Sequence, residues 1–146
     1  MLKFIPTKGG SNQLRLWRRL NMLTPEIFLA YWKAVGIMSP LFDTTASTYQ
    51  GWTDQNGAAC EGMRTRVSGE KHGIVRLLKP SGDIIEASFA YGRLNGLNRA
   101  IFTDEIHIVL FKDHQEIAFL HLDASFKPLQ RGGPQVHLLD DYMRMM

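Results

Sequence analysis

The most constraining feature of the sequence is a pair of glycines, four residues apart, that occurs twice. Gly69 and Gly73 open the first copy, and Gly92 and Gly96 open the second copy 23 residues later. Apolar and polar residues alternate after each pair, and the same offset places three residues, Ile74, Arg76 and Leu78, on Leu97, Arg99 and Ile101. This self-similarity indicates a chain built from short repeated units.

Each unit has the parts of a β-hairpin. A glycine before a strand supplies a positive φ angle or a close backbone approach, and the alternating run after it forms one arm. Pro80 and Gly82 then stand where a turn needs them, and Ile84 to Phe89 forms the returning arm. Because one hairpin cannot bury its own apolar face, we expect the units to stack on one another.

These residues resemble the MORN repeat, whose unit has the form Y-x-G-x-F-x-x-G-x-x-x-G-x-G. Ile85 stands where that family has Tyr, Ala87 where it has Gly, and Phe89 on the aromatic position, followed by the two spaced glycines. The resemblance covers about Gly69 to Phe126. It implies an array of hairpins that serves as an interaction scaffold, in some cases near membranes or lipids, and it implies no catalytic residue.

Composition limits the class of protein. The apolar fraction of 45% and charged fraction of 21% are those of a globular chain. The net charge of +3 favours no particular polyanion, and we expect no nucleic-acid partner. The single cysteine, Cys60, excludes an internal disulfide and is expected to be a buried small residue. No apolar run approaches the roughly 20 residues that a spanning helix needs.

The N-terminal segment is basic and has no acidic residue before Glu26. With Ser11 as the expected cap, the following residues form an amphipathic helix that has Trp17 on its apolar face and three arginines on the opposite face, Arg15, Arg18 and Arg19. Three interpretations stay open: a mitochondrial targeting element, a helix on an anionic membrane, and an ordinary surface helix.

A second helix is predicted to begin at Thr24 as cap and Pro25 as first residue, and to end at Gly36. Its broad aromatic stripe includes Phe28 and Trp32. The stripe fits a core helix packed on the sheet, or a helix shared with a partner protein.

A short hairpin is expected next, because Tyr49 to Trp52 and Ala58 to Met63 flank a turn-forming stretch. A longer hairpin is predicted from Ile106 to Leu122. A three-residue loop, 113–115, pairs Lys112 with Glu116, whereas a loop of two or four residues changes the register.

The three-residue loop also pairs His107 with His121 and places Glu105 opposite Asp123. Two imidazoles and two carboxylates at the open end of one hairpin are candidate ligands for zinc or a similar ion. A cross-strand ion pair explains the same register without a metal.

The predicted fold is therefore α+β, with N-terminal helices in 1–41, an antiparallel sheet of successive hairpins in 42–126, and an extended tail in 127–146. From Val136 onward the tail forms a short helix or an extended arm.

No catalytic signature is present, so we expect no enzyme activity and no cofactor. The expected function is that of an accessory subunit in a large assembly. A mitochondrial inner-membrane complex is the expected assembly, and the cytoplasm is the other location. The alternatives are a metal-binding protein or small enzyme that uses His107 and His121, and a peripheral lipid-binding module. The residues expected to contact partners are Arg15, Trp17, Arg18, Arg19, Phe28, Trp32 and Tyr142.

Overall fold

The computed structural model of the chain describes residues 10–20, 25–37 and 47–145. Two helices come first, α1 (Ser11–Arg19) and α2 (Pro25–Ala34). Nine strands follow: β1 (Ser47–Thr53), β2 (Ala59–Thr65), β3 (Lys71–Leu78), β4 (Ile84–Ala90), β5 (Arg93–Leu94), β6 (Gly96–Ile101), β7 (Glu105–Lys112), β8 (Gln115–Asp123) and β9 (Pro128–Gly132). A 3₁₀ helix (Val136–Leu139) and the short helix α3 (Asp140–Met145) end the described chain.

All nine strands form one open antiparallel sheet. Its order is β1-β2-β3-β4-β6-β7-β8-β9, and the short β5 pairs with β4. Each long strand pairs with the next long strand along the chain, as successive hairpins require. The predicted α+β fold is confirmed.

The spaced glycines have the predicted backbone conformation. Gly69, Gly73, Gly92 and Gly96 have φ angles of 72°, 107°, 81° and 92°, which L side chains rarely adopt. At Gly96 the backbone also approaches α2, because a Cβ atom there would lie 2.8 Å from Cδ1 of Trp32. The repeated glycines therefore have the same conformational role in both units.

One face of the sheet, called here the inner face, forms the core with the helices. Strand β7 shows the alternation clearly, since Ile106, Ile108 and Leu110 are fully buried and the residues between them are only half-buried. All three helices add side chains to this core, and the Nε1 atom of Trp32 donates a hydrogen bond to the Asn95 carbonyl at 3.2 Å. The opposite face is called here the outer face.

The C-terminal segment differs from the extended tail that the sequence predicts. It adds β9 to the sheet edge and then turns through the 3₁₀ helix into α3. The reason is apolar burial, because Leu139 and Tyr142 enter the core. The alternative of a short last helix therefore holds.

The start of α1 differs from the predicted one, whereas the end of α2 agrees with it. The helix α1 is capped by Gly10, with no side-chain cap hydrogen bond, so the expected cap at Ser11 is wrong by one residue. Gly36 ends α2 with a φ angle of 91°, as predicted. The predicted cap at Thr24 lies outside the described residues.

Candidate functional site

The inner face contains a row of charged side chains that crosses four neighbouring strands. The strand register pairs Glu61 of β2 with Arg76 of β3, Arg76 with Glu86 of β4, and Glu86 with Arg99 of β6. Side chains directly opposite each other on one face are close enough to interact. We call these four residues the charge ladder.

Each member of the charge ladder touches the next one. Arg76 Nη1 lies 2.6 Å from Glu61 Oε1, and Arg76 Nη2 lies 3.2 Å from Glu86 Oε2. Arg99 Nε and Nη2 both donate to Glu86 Oε1, at 3.0 and 2.5 Å. The two negative and two positive charges balance, which a buried ionic group requires.

Aromatic residues contact both ends of the charge ladder and its centre. The Tyr49 hydroxyl donates to Glu61 at 2.6 Å, and Arg99 donates to the Tyr142 hydroxyl at 3.3 Å. The Trp17 ring of α1 lies over Arg76, with 5.5 Å from the guanidinium carbon to the ring centre. The ladder therefore connects the sheet to both α1 and α3.

Ionisation of the charge ladder follows from opposing effects. Burial acts to raise the pKa of Glu86, but the positive charges of Arg99 and Arg76 outweigh burial and hold that pKa below its ordinary value. Burial likewise acts to lower the pKa of Arg99, and the Glu86 carboxylate outweighs it and raises that pKa. Glu86 and Arg99 are thus both charged at neutral pH.

The aromatic residues expected to contact partners lie inside the chain. Relative exposures are 7% for Trp17, 0% for Phe28, 1% for Trp32 and 2% for Tyr142. The expectation that these side chains form partner surfaces therefore needs correction, because each is already packed in the chain's own core. For α2, the core interpretation is confirmed.

The three arginines of α1 are placed differently, because all are exposed. Arg15 donates to the Asn12 side chain at 3.3 Å, and Arg19 donates to the Ala124 carbonyl at 3.1 Å and lies over the Phe126 ring. The predicted basic face of α1 is confirmed, and its binding role stays a prediction.

The outer face carries a second row, which runs across the central strands. The register joins Leu77, Ile85, Ala100, His107 and His121 in one line. All five residues are half-buried. Val109 and Phe119 lie beside this line, are paired with each other and are half-buried as well. The outer face is thus largely apolar and partly open to solvent.

The histidine hairpin has the predicted pairing at its open end. His107 pairs with His121 and Glu105 pairs with Asp123. The tip differs from prediction, because the loop has two residues with positive φ angles and a β-bulge follows at the Leu110 and Phe111 step. The bulge restores the register that a three-residue loop would give, but it pairs Lys112 with Gln115, so the predicted pair with Glu116 is wrong.

The two imidazoles are stacked face to face. Their ring centres are 3.7 Å apart and their planes differ by 10°. Phe102 packs edge-on against His107 at 4.7 Å, and Phe119 packs against His121 at 5.1 Å. Burial and the neighbouring His121 lower the pKa of His107, and the carboxylates of Glu105 and Glu116 only partly oppose this. His107 is therefore neutral at pH 7.

The four predicted metal ligands do not converge on one point. Asp123 Oδ1 accepts hydrogen bonds from the Ser125 and Lys127 amides at 2.8 and 2.9 Å and so stabilises its own turn. In residues 10–20, 25–37 and 47–145, no group of three or more His, Cys, Asp or Glu side chains is arranged to hold a metal ion. The four candidate ligands therefore do not form one metal site in the described part of the chain.

Two further side chains that could carry chemistry, Cys60 and His72, are buried. Cys60 is buried, as predicted, and burial raises the pKa of its thiol. His72 is buried against Trp32, and its Nδ1 atom accepts a hydrogen bond from the Tyr91 amide at 3.0 Å.

No helix in the described ranges is long and apolar enough to cross a membrane.

Sequence reasoning missed the charge ladder. The sequence matches Arg76 with Arg99 in the repeat but gives neither arginine a charged partner, and it assigns Glu86 no role. One signal was present, because the repeat offset places Arg76 on Arg99 and apolar residues flank both arginines at two-residue spacing. A charge within an apolar face indicates a buried partner.

Comparison with known proteins gives no family for the chain: no family model matches it and no curated protein matches its sequence.

Proposed function

We propose that this chain is a non-catalytic interaction protein that binds a partner protein through the outer face of its sheet, as an accessory subunit of a larger assembly. The observation that carries the proposal is the asymmetry of the two faces. The inner face supports all three helices, whereas the outer face presents half-buried apolar side chains such as Ile85 and Val109.

The size of the outer face fits this role. Five central strands about 4.8 Å apart and about six residues long, at about 3.3 Å per residue, span roughly 500 Å². Exposed apolar surface of a few hundred Å² is often a binding site, and the half-buried apolar side chains of this face supply part of that span. The resemblance to MORN repeats supports the same proposal, because that family implies a hairpin scaffold.

Capture from native extract tests the proposal. The tagged chain is compared with a variant carrying Ile85→Asp and Val109→Asp, and with a control carrying Lys33→Asp on the exposed side of α2. We expect a discrete set of chains to co-purify with the wild type and the control and to be lost with the outer-face variant. An unchanged set with a folded outer-face variant would contradict the proposal.

The proposed location is mitochondrial, at an inner-membrane assembly, and its support is the basic segment without acidic residues before Glu26. Fluorescence imaging of the tagged chain tests it. A uniform cytoplasmic signal would contradict the proposed mitochondrial location and would leave the outer-face proposal unaffected.

A second candidate function is peripheral binding to anionic lipid, which the exposed arginines of α1 favour. Liposomes containing phosphatidylserine should retain the wild-type chain and release a variant with Arg15, Arg18 and Arg19 changed to alanine. Equal retention of both proteins would count against this candidate.

A further inference from the structure

The outer face carries two cross-strand pairs of like charge, and the two pairs have opposite signs. Arg64 of β2 is paired with Lys71 of β3, and these two residues are called here the basic pair. Glu105 of β7 is paired with Asp123 of β8, and these two are called the acidic pair. Like charges directly opposite each other destabilise a sheet, so each pair needs a counter-charge.

Both pairs lie on the outer face. The guanidinium carbon of Arg64 lies 4.0 Å from the centre of the Trp52 ring, and the strand register places Trp52 in line with Leu77 of the outer row. Glu105 precedes His107 of the same row by two residues, so side-chain alternation places it on this face as well. Residues paired directly across strands share a face, so each pair lies there as a whole.

The two pairs occupy opposite corners of the outer face. The basic pair lies at the end of β2 and the start of β3, and the acidic pair lies at the start of β7 and the end of β8. In the strand register the pairs are roughly 30 Å apart, from about 3.3 Å per residue and about 4.8 Å per strand. Neither pair can therefore neutralise the other within one chain.

The rest of the described chain leaves both pairs uncompensated. The basic pair forms no ion pair within residues 10–20, 25–37 and 47–145. In the acidic pair, Glu105 faces only the neutral His107 imidazole, at 3.9 Å, and Asp123 accepts two backbone amides. A surface that presents both signs at separate corners is complementary to a copy of itself.

We propose that the outer face binds a second copy of this chain, with the basic pair of each copy against the acidic pair of the other. A twofold axis between the two faces exchanges the corners, so one arrangement makes both charge contacts. The apolar row between the corners forms the centre of the contact and the charges form its rim, as in other interfaces. Two faces of roughly 500 Å² bury about 1,000 Å² in total, the lower limit of a specific interface. This inference rests on the proposed function, because it names the partner of the same face.

Sedimentation equilibrium of the purified full-length chain tests the inference. We expect a dimer at about 20 mM salt, with a dissociation constant about fivefold higher at about 500 mM salt because salt screens exposed charges. Reversal of the basic pair, with Arg64→Glu and Lys71→Glu, should weaken dimer formation by at least about tenfold, because each corner then meets a like charge. The control reverses two exposed cations of the helices, Arg18→Glu and Lys33→Glu, and should leave the dimer unchanged.

The complementary variant changes the acidic pair. Glu105→Lys reverses one charge, and Asp123→Asn removes the other while its side-chain oxygen still accepts the two turn amides. This variant alone should also dimerise at least about tenfold more weakly. An equimolar mixture with the reversed basic pair should form a mixed dimer, because the corners of the two variants then have opposite signs.

Two results would overturn the inference: a wild-type chain that stays monomeric at about 0.5 mM and low salt, where the lower-limit interface area requires a measurable dimer, or a dimer that neither charge variant weakens. If the variants fail to fold, carbodiimide coupling of the wild type decides, because this reagent joins an amine to a carboxylate without a spacer. It should link Lys71 to Glu105 in a covalent dimer, and a covalent dimer without that link would also contradict the inference. A monomeric chain that still captures other proteins through Ile85 and Val109 would leave the proposed function intact.

Discussion

The substitution Glu86→Gln removes the central negative charge of the ladder and leaves its shape unchanged. The Glu86 side chain is 2% exposed and contacts both Arg76 and Arg99. Breaking a buried ion pair by removing one partner costs about 3–5 kcal/mol, because the remaining charge stays buried without compensation. We expect a loss of this size from the free energy of unfolding, which is about 5–15 kcal/mol for ordinary domains.

Urea unfolding followed by circular dichroism measures this loss. With a urea dependence of about 2 kcal/mol per molar, the midpoint should fall by about 2 M. Glu116→Gln, at an exposed site of β8, is the matched control and should change the free energy by less than about 0.5 kcal/mol. A Glu86→Gln variant within about 1 kcal/mol of the wild type would refute the reasoning.

A triple variant separates charge compensation from packing. Arg76→Met, Glu86→Leu and Arg99→Met replace the core of the ladder with apolar side chains of similar volume. Such replacements are often neutral or stabilising, so the triple variant should recover most of the stability that Glu86→Gln loses. Glu61 loses its Arg76 partner in this variant but is 22% exposed, so water can solvate it. A triple variant as unstable as Glu86→Gln would contradict the explanation from charge compensation.

The pH dependence of folding stability also tests whether Glu86 is charged in the folded chain. Because the pKa of Glu86 is lower in the folded chain than its ordinary value of 4.5, the carboxylate stabilises the fold above pH 4.5. That contribution is lost as the pH falls below 4.5 toward the folded-state pKa. The difference in stability between the wild type and Glu86→Gln should therefore shrink as the pH falls through this range, and a constant difference would contradict the assignment.

Three further predictions use thermal or urea unfolding. Gly96→Ala should cost roughly 2–4 kcal/mol, from its positive φ angle and a contact with an indole carbon of α2, whereas Gly69→Ala has open space and should cost only about 1–2 kcal/mol; equal costs would contradict the close approach. Burial lowers the pKa of His72 below 6.5 in the folded chain, so stability should fall as the pH drops through 6.5; His72→Gln should fall less than the wild type and keep only the part that comes from His107, whose pKa is lowered as well. Asn98→Ala should cost about 1–3 kcal/mol, because Asn98 Oδ1 accepts the buried Ser88 amide at 2.9 Å; a neutral result would show that this amide finds another partner.

The hairpin architecture was predictable because local chemistry dictates it. Glycines before alternating runs fix where strands begin, and their positive φ angles confirm it. The pairing of His107 with His121 was also predictable, since side-chain alternation and a short tip leave few registers. The tip itself was not, because a two-residue loop followed by a bulge and a three-residue loop produce the same pairing further along the strands.

The charge ladder depends on contacts that are distant in sequence. Arg76 reads as a solvated residue until β4 and β6 are placed beside β3 and the Trp17 helix is placed above them. The burial of Trp17 and Tyr142 has the same origin, because an aromatic residue on a helix fits a core and an interface equally well from sequence alone. Which alternative holds depends on where the sheet lies.

The central claim is that the outer face is the surface that meets a partner. The most direct test places a photo-reactive amino acid at Val109 on the outer face and, in a second protein, at the exposed Leu29 of α2, and irradiates both in native extract. We predict a discrete crosslinked partner from Val109 and none from Leu29. A partner crosslinked from Leu29 but not from Val109 would contradict the claim.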